Sequence, residues 1–395
     1  MEAYLLEWAN LLLRWLHVIV AIAYIGSSFY FVWLDNSLRP PADEALRARG
    51  VSGELWAVHA GAFYNPQKYA LAPPQLPRDL HWFYWEAYST WLSGFGLFSV
   101  LYLFNPKVFL IDPNVANITP TVAVLAALGF LVVGWLIYDM LCRVLEKQET
   151  LLAVLVALYI GAIAWATCHL FAGRAAFLIT GAVMATIIAA NVFFIIIPNQ
   201  RKMVASMKAG EPVNPILSKR SKHRSMHNSY VTLPVIFGMI SNHYSLTYSA
   251  PHNWIVLIAI MAAGALIRHY FIQRHKDKGN VAYPVAAIAI LGGLVWWLAP
   301  APSVAGAAGN APAVDIAQVQ KIVEARCVQC HAAQPSLMPT PAKGVMLDST
   351  DLIRSHAQAI YQQVVVTKAM PLGNMTKITD EERTVIAKWF EAGAK

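Results

Sequence analysis

The sequence predicts an all-α protein: a polytopic membrane helix bundle of about eight spans followed by a small helical C-terminal domain. Three observations carry this prediction. The chain's 395 residues are 57% hydrophobic and only 13% charged, with a mean hydropathy of +0.47, whereas soluble domains carry about 25% charged residues. Apolar runs close to the roughly 20 residues needed to cross a bilayer recur up to residue 299. Beyond Pro300 the composition shifts abruptly, and the uncharged stretch 301–314, rich in Ala, Gly and Pro, reads as a flexible tether. The expected organisation is therefore a membrane domain over 1–299, a linker over 300–314 and a helical domain over 315–395.

Taken in order, the spans fall near 10–34, 82–104, 119–141, 150–171, 175–197, 229–243, 253–272 and 281–299. The sixth is the weakest, being short and containing Pro234. No internal repeat is evident. The N-terminus has no basic segment followed by a small-residue cleavage site, so the first run is expected to stay in the bilayer. The 13 Trp and 16 Tyr suit a protein whose aromatics crowd membrane interfaces. The long loop between the first two spans contains Leu55-Trp-Ala-Val-His-Ala-Gly-Ala-Phe-Tyr64, expected to form an interfacial or re-entrant helix.

In the C-terminal part, Cys327-Val328-Gln329-Cys330-His331 reads C-x-x-C-H, the c-type haem attachment pattern. Two thiols at this spacing can each form a thioether to a haem vinyl group, and the adjacent imidazole becomes the proximal iron ligand. A zinc or redox C-x-x-C is the alternative, and the surroundings favour haem. Residues 316–326 form a helix leading into the motif. Residues 351–366 have helical apolar spacing at Ile353, Ile360 and Val364. Thr379 and Glu382 make a capping box opening a last helix over 380–392, with Trp389 on its inner face. This order resembles a class I cytochrome c. The sixth ligand is expected to be Met370, in a loop shaped by Pro371 and Gly373, with Met375 next and Met338 or Met346 behind. His/Met ligation raises the potential and suits delivery to a terminal oxidase. His356 reads as a helix-surface residue. Cys142 and Cys168 fall inside apolar runs as buried small residues, with no disulfide framework.

Covalent haem is attached outside the cytoplasm, which places the C-terminus on the periplasmic side of a bacterial inner membrane; an even number of spans places the N-terminus there too. The loops assigned to the cytoplasm then hold seventeen Lys and Arg, against Lys107 and Arg174 in the outer loops. This independent count agrees with the positive-inside rule. The net charge of +8 is thereby accounted for: the run Lys219-Arg-Ser-Lys-His-Arg224 anchors to lipid, and no nucleic-acid partner is expected.

Ionisable residues within spans are costly and default to functional hypotheses. They sort into an outer layer (Arg14, His17, His169, Arg174, His243, His252) and an inner layer (His59, His81, Glu86, Asp139, His223, His227, His269). Interfacial His and Arg also snorkel or bond to neighbouring helices without further function. His17 and His169 lie at similar expected depth, where two imidazoles can clamp a b-type haem.

The membrane part resembles the bacterial cytochrome c-linked urate oxidases (urate hydroxylases). The likeness is carried by the segment 55–64, by His81-Trp-Phe-Tyr-Trp-Glu-Ala-Tyr-Ser-Thr-Trp-Leu-Ser-Gly94, by Asn191-Val-Phe-Phe-Ile-Ile-Ile-Pro-Asn-Gln-Arg201, and by His227-Asn-Ser-Tyr-Val-Thr-Leu-Pro-Val235 running to Ser241-Asn-His-Tyr244. The family pattern has Gly on both sides of Gly61, where this chain has Ala60 and Ala62. The resemblance implies oxidation of urate to 5-hydroxyisourate, with electrons passing to the fused haem and on to a downstream cytochrome or terminal oxidase, without peroxide. A planar urate anion needs cationic or amide donors, flat walls and a base. Glu86 or His59 is the expected base, with His81 beside them; His227, Asn228 and His243 offer further contacts. A site on the inner side would lie about 30 Å from an outer cytochrome. Two rival readings are a quinol-linked electron-transfer subunit and a transporter or sensor whose cytochrome only reports redox state.

Overall fold

The computed structural model describes residues 2–274, 278–299, 314–338 and 341–395. The expected linker, apart from Val314, falls outside the described residues. In the bundle the helices are α1 (Glu2–Ser37), α2 (Glu44–Ala48), α3 (Trp85–Phe98), α4 (Pro106–Phe109), α5 (Pro120–Val144), α6 (Glu149–Leu170), α7 (Gly173–Ala190), α8 (Ile197–Lys208), α9 (Pro215–Ile240), α10 (Ser245–Tyr248), α11 (Asn253–Arg274) and α12 (Ala282–Trp297). A π-helical stretch prolongs α3, and another joins α7 to α8. Each of the eight expected spans coincides with helix. By length and apolar composition, five helices among the described residues can cross a membrane: Tyr4–Ser37, Pro120–Val144, Glu149–Leu170, Gly173–Lys208 and Asn253–Arg274. Two starts follow simple chemistry: Thr119 and Asn214 accept backbone N–H bonds ahead of Pro120 and Pro215, whose missing N–H costs nothing at a first turn.

α7 forms the centre of the bundle, and most of its side chains, including Phe177, Ile179 and Val183, are buried. Small residues let its neighbours approach. A Cβ on Gly181 would sit 3.1 Å from the Gly238 Cα, and one on Gly134 would sit 2.6 Å from Val183 Cγ1. Backbone-to-backbone crossings of this kind replace the hydrophobic drive that helices lack in lipid. Thr167 and Thr180 hydroxyls bond at 2.9 Å between α6 and α7. On the outside, Ile22, Leu125, Val132 and Leu158 are exposed, an apolar face matched to hydrocarbon. Cys142 and Cys168 are buried, as expected.

The segment 55–64 corrects the expectation of a helix. β1 (Val51–Glu54) pairs antiparallel with β4 (Gln67–Tyr69), and β2 (Ala57–His59) with β3 (Ala62–Tyr64). The β2–β3 loop is Ala60-Gly61, with φ of 49° and 78°. Two left-handed residues in succession make the tight turn that matches strand twist, so Gly61 directs a hairpin here.

In the C-terminal part, α13 (Ile316–Arg326), α14 (Thr350–Ser355), α15 (Ala357–Ile360) and α16 (Asp380–Glu391) surround Val319, Val323, Ile353, Ile360, Val364, Ile386 and Trp389. The expected helix over 351–366 breaks at His356. There the Ser355 hydroxyl and the His356 ring both bond the Leu352 carbonyl, a local satisfaction that competes with continuing the ladder. The inward residues are nonetheless those expected. Thr379 and Glu382 form the capping box.

Candidate functional site

The C-x-x-C-H segment continues α13 as a tight turn, with the Cys330 and His331 amides both donating to the Cys327 carbonyl at 3.0 and 2.9 Å. Burial pushes the Cys327 thiol up to about 12, so it packs as a neutral group. His331 Nδ1 lies 3.2 Å from the Val345 carbonyl oxygen. A carbonyl can only accept, so the proton sits on Nδ1 and Nε2 keeps its lone pair for a metal. Met370 packs against the same core as Cys327 and Val328, and Met375 does not. Its loop is held by the Met370 amide on the Gln363 carbonyl at 3.0 Å and by Arg383, which donates to the Met370 carbonyl at 3.0 Å. Two free thiols and an oriented imidazole in one turn, with Cys327 and the Met370 thioether on the same core, are the residue types a covalent haem needs.

At the end of the bundle that the sequence reading assigns to the inner side, charges from separate helices pair. Asp139 on α5 accepts from Arg224 of α9 at 2.6 Å and from Arg143 at 2.6 Å. Arg224 also donates to Asn191 at 3.2 Å; Asn191 donates to Asn228 at 2.9 Å and to the Tyr138 hydroxyl at 3.1 Å. Tyr138 in turn meets His227 Nδ1 at 2.9 Å, and His223 stacks near His227 at 4.4 Å. Arg224 is thus a buried ion-pair partner, beyond the lipid anchor expected of the basic run. Beside this network lies a cavity of about 640 Å³ lined by Tyr24, Asp35, His81, Trp82, Asn228 and others.

The expected inner residues divide. His81 and Asn228 share the cavity wall. His59 is exposed at the end of β2, and Glu86 sits in the first turn of α3; neither lines the cavity. His17 faces α3, with Nδ1 3.1 Å from the Thr90 carbonyl oxygen and 3.0 Å from Ser93 Oγ. His169 is exposed and bonds the Trp165 carbonyl of its own helix at 2.7 Å. The two imidazoles therefore have separate surroundings. His243 is exposed just beyond α9.

The outer end differs in kind. Gly173 opens α7 in a spot where a Cβ would lie 2.3 Å from the Tyr248 carbonyl oxygen, so only glycine permits this turn. It sets Arg174 in the first turn, with its guanidinium 5.7 Å from the Phe109 ring centroid. Ala172, at the N-cap, supplies no side-chain hydrogen bond. Among the described residues, the Tyr102 hydroxyl, Arg174 Nε and Asn242 Oδ1 are buried without a hydrogen bond of full geometry, as are Trp135 Nε1 and Arg268 Nη2 elsewhere in the bundle. Lys368, Leu372 and Gly373 of the methionine loop reach this end and close a cavity of about 250 Å³ with Asp112, Arg174 and Asn253. A Cβ on Gly373 would lie 3.3 Å from the Ile111 carbonyl oxygen.

Sequence reading missed Tyr102, Tyr138 and Arg268; it offered Asn242 as an amide for the substrate and had Asn191 only as part of the family likeness. Arg268 had a legible signal, a guanidinium within the apolar run 253–272. It donates to Ser229 at 2.9 Å and lies 4.1 Å over the Phe29 ring. Asp139 was legible as an ionisable residue in an apolar run and Arg224 as part of the basic run, but their pairing was not.

Together these features define a helical bundle with apolar helices able to span a membrane and with buried polar sites at both ends. The chain belongs to the family described as Urate oxidase N-terminal, which matches residues 3–299. That membership points to urate and to an oxidoreductase. Comparison with curated proteins finds no match. Comparison with solved structures finds none either.

Proposed function

We propose that the protein is a multi-pass enzyme of the bacterial inner membrane, with eight spans and both termini periplasmic, that oxidises urate to 5-hydroxyisourate. Its electrons pass to a c-type haem held by Cys327 and Cys330, with His331 and Met370 as axial ligands, and then to a downstream cytochrome or terminal oxidase. The family match over 3–299, on a chain that continues into C-x-x-C-H, carries this reading. The reaction balances as urate monoanion plus water giving 5-hydroxyisourate, one proton and two electrons. A bound haem of this type supplies a one-electron acceptor, so two transfers must follow in succession. The chain's own residues have three tasks: to hold a planar anion, to accept the proton, and to keep the methionine loop against the bundle.

The test is rapid mixing of the oxidised protein with urate. The reduced haem bands should grow with urate and not with xanthine or a quinol; absence of reduction by urate would contradict the reading. A pyridine haemochrome assay counts haem per chain, and only thioether-bound haem is expected. A second, b-type haem would restore the His17 and His169 idea. His331→Ala should abolish haem retention while membrane insertion persists.

A further inference from the structure

We propose that the seam between the methionine loop and the outer end of the bundle is the binding site for a planar purine anion. This rests on the urate reading and gives that reaction a location. The cavity of about 250 Å³ is lined by Phe109, Asp112, Arg174, Tyr248 and Asn253 from the bundle and by Lys368 from the loop. Its size suits a flat bicycle of about a dozen non-hydrogen atoms, smaller than the drug-sized ligands of larger pockets.

The chemistry of the wall is selective. Arg174 carries the cation, and its Nε is buried beside the Tyr102 hydroxyl without a bond of full geometry among the described residues. Behind it, the Tyr102 hydroxyl faces Arg174 and Asn242 and interacts with both, but none of these contacts reaches full hydrogen-bond geometry among the described residues. Tyr102 is 1% exposed, so water does not meet this need from bulk. A buried polar atom without a well-formed bond is rare; here three sit together, facing one another, and Arg174 is the one of them that lines the cavity. The uncapped N-terminus of α7 adds free amides and a positive dipole end at Gly173 and Arg174, the arrangement that receives anions. Phe109 and Tyr248 provide flat faces. Burial raises the Asp112 carboxyl above its usual range, which suits a proton acceptor for the reaction. Because Leu372 and Gly373 lie in the same wall, a bound purine would sit against the loop that carries Met370, removing the separation of about 30 Å that an inner site would impose.

Equilibrium dialysis of radiolabelled urate against the full-length, oxidised protein tests this without turnover. Arg174→Ala should weaken urate binding at least tenfold, Arg174→Lys should recover part of it, and Tyr102→Phe should weaken it several-fold. Met203→Trp, which fills the inner cavity, should leave binding unchanged. If Arg174→Ala fails to fold, Val115→Glu, which adds a negative charge at the cavity rim, should weaken binding in its place. Wild-type affinity in Arg174→Ala or Val115→Glu, or loss of binding in Met203→Trp, overturns the seam site while urate-driven haem reduction in the unaltered protein would keep the urate reading intact. An unaltered protein that neither binds urate nor is reduced by it overturns both.

Discussion

The two ends of the bundle bury polar groups in opposite ways. At the inner end, Asp139 is bonded by Arg143 and Arg224, and the amide of Asn191 is shared among Arg224, Asn228 and Tyr138. At the outer end, Tyr102, Arg174 and Asn242 each keep a buried atom unbonded. A buried network whose members bond one another rigidifies a structure; one left open has stabilisation to give to a ligand. The contrast teaches that charge and histidine content alone do not mark a site. The inner end has more of both, and its ionic core is already spent on holding α5, α7 and α9 together. Arg268 falls between the two patterns: its Nε bonds Ser229 and its guanidinium rests on the Phe29 ring, while its Nη2 is buried without a bond among the described residues.

Substitutions sharpen this contrast. Arg224→Ala would leave Asp139 buried with only the half-exposed Arg143 and should cost about 3 kcal/mol, read as lost thermal stability in detergent. Arg174→Ala removes only a weak contact with the Tyr102 hydroxyl and the contact with Phe109, and should cost about 1 kcal/mol. Equal losses in the two variants would erase the distinction. A smaller effect concerns pH. Burial alone would raise the Glu382 carboxyl, but Arg326 and the Thr379 amide outweigh it and hold it below its usual range. Its stabilising contribution is therefore complete above the unfolded value of about 4.3 and is lost as pH falls through the lower folded value. Glu382→Gln should flatten that acid limb in a thermal melt of the C-terminal part; an unchanged limb would show that other groups govern it. Smallest of all, Ala60→Gly should stabilise the β2–β3 hairpin by about 1 kcal/mol by relieving left-handed strain, measurable by amide exchange, whereas a loss would mean the turn is not strained.

Much of the architecture was legible because it is local. Each of the five helices able to cross a membrane contains a long apolar run, and α13 and α16 declare themselves by apolar spacing and by the Thr379 cap. The hairpin was misread because Trp56, Val58, Phe63 and Tyr64 are all exposed, so no buried face imposed an alternation to recognise. Asp139 and Arg224 stand 85 residues apart, and nothing in either run announces the other. The seam is harder still, because it joins residues near 109–115, 172–174, 248–253 and 368–374, four segments that meet only in the folded chain. The C-x-x-C-H pattern at 327–331 is readable because its spacing is local, and its haem role belongs to the proposed function.

The placement of the site is tested most directly by which side of the membrane urate reaches it from. Oxidised protein in right-side-out and in inverted membrane vesicles can be mixed with urate, an anion slow to cross lipid, while the reduced haem bands are followed. Prompt reduction in right-side-out vesicles with a lag in inverted ones is the predicted result. Prompt reduction only in inverted vesicles would move the site to the inner cavity and contradict the account.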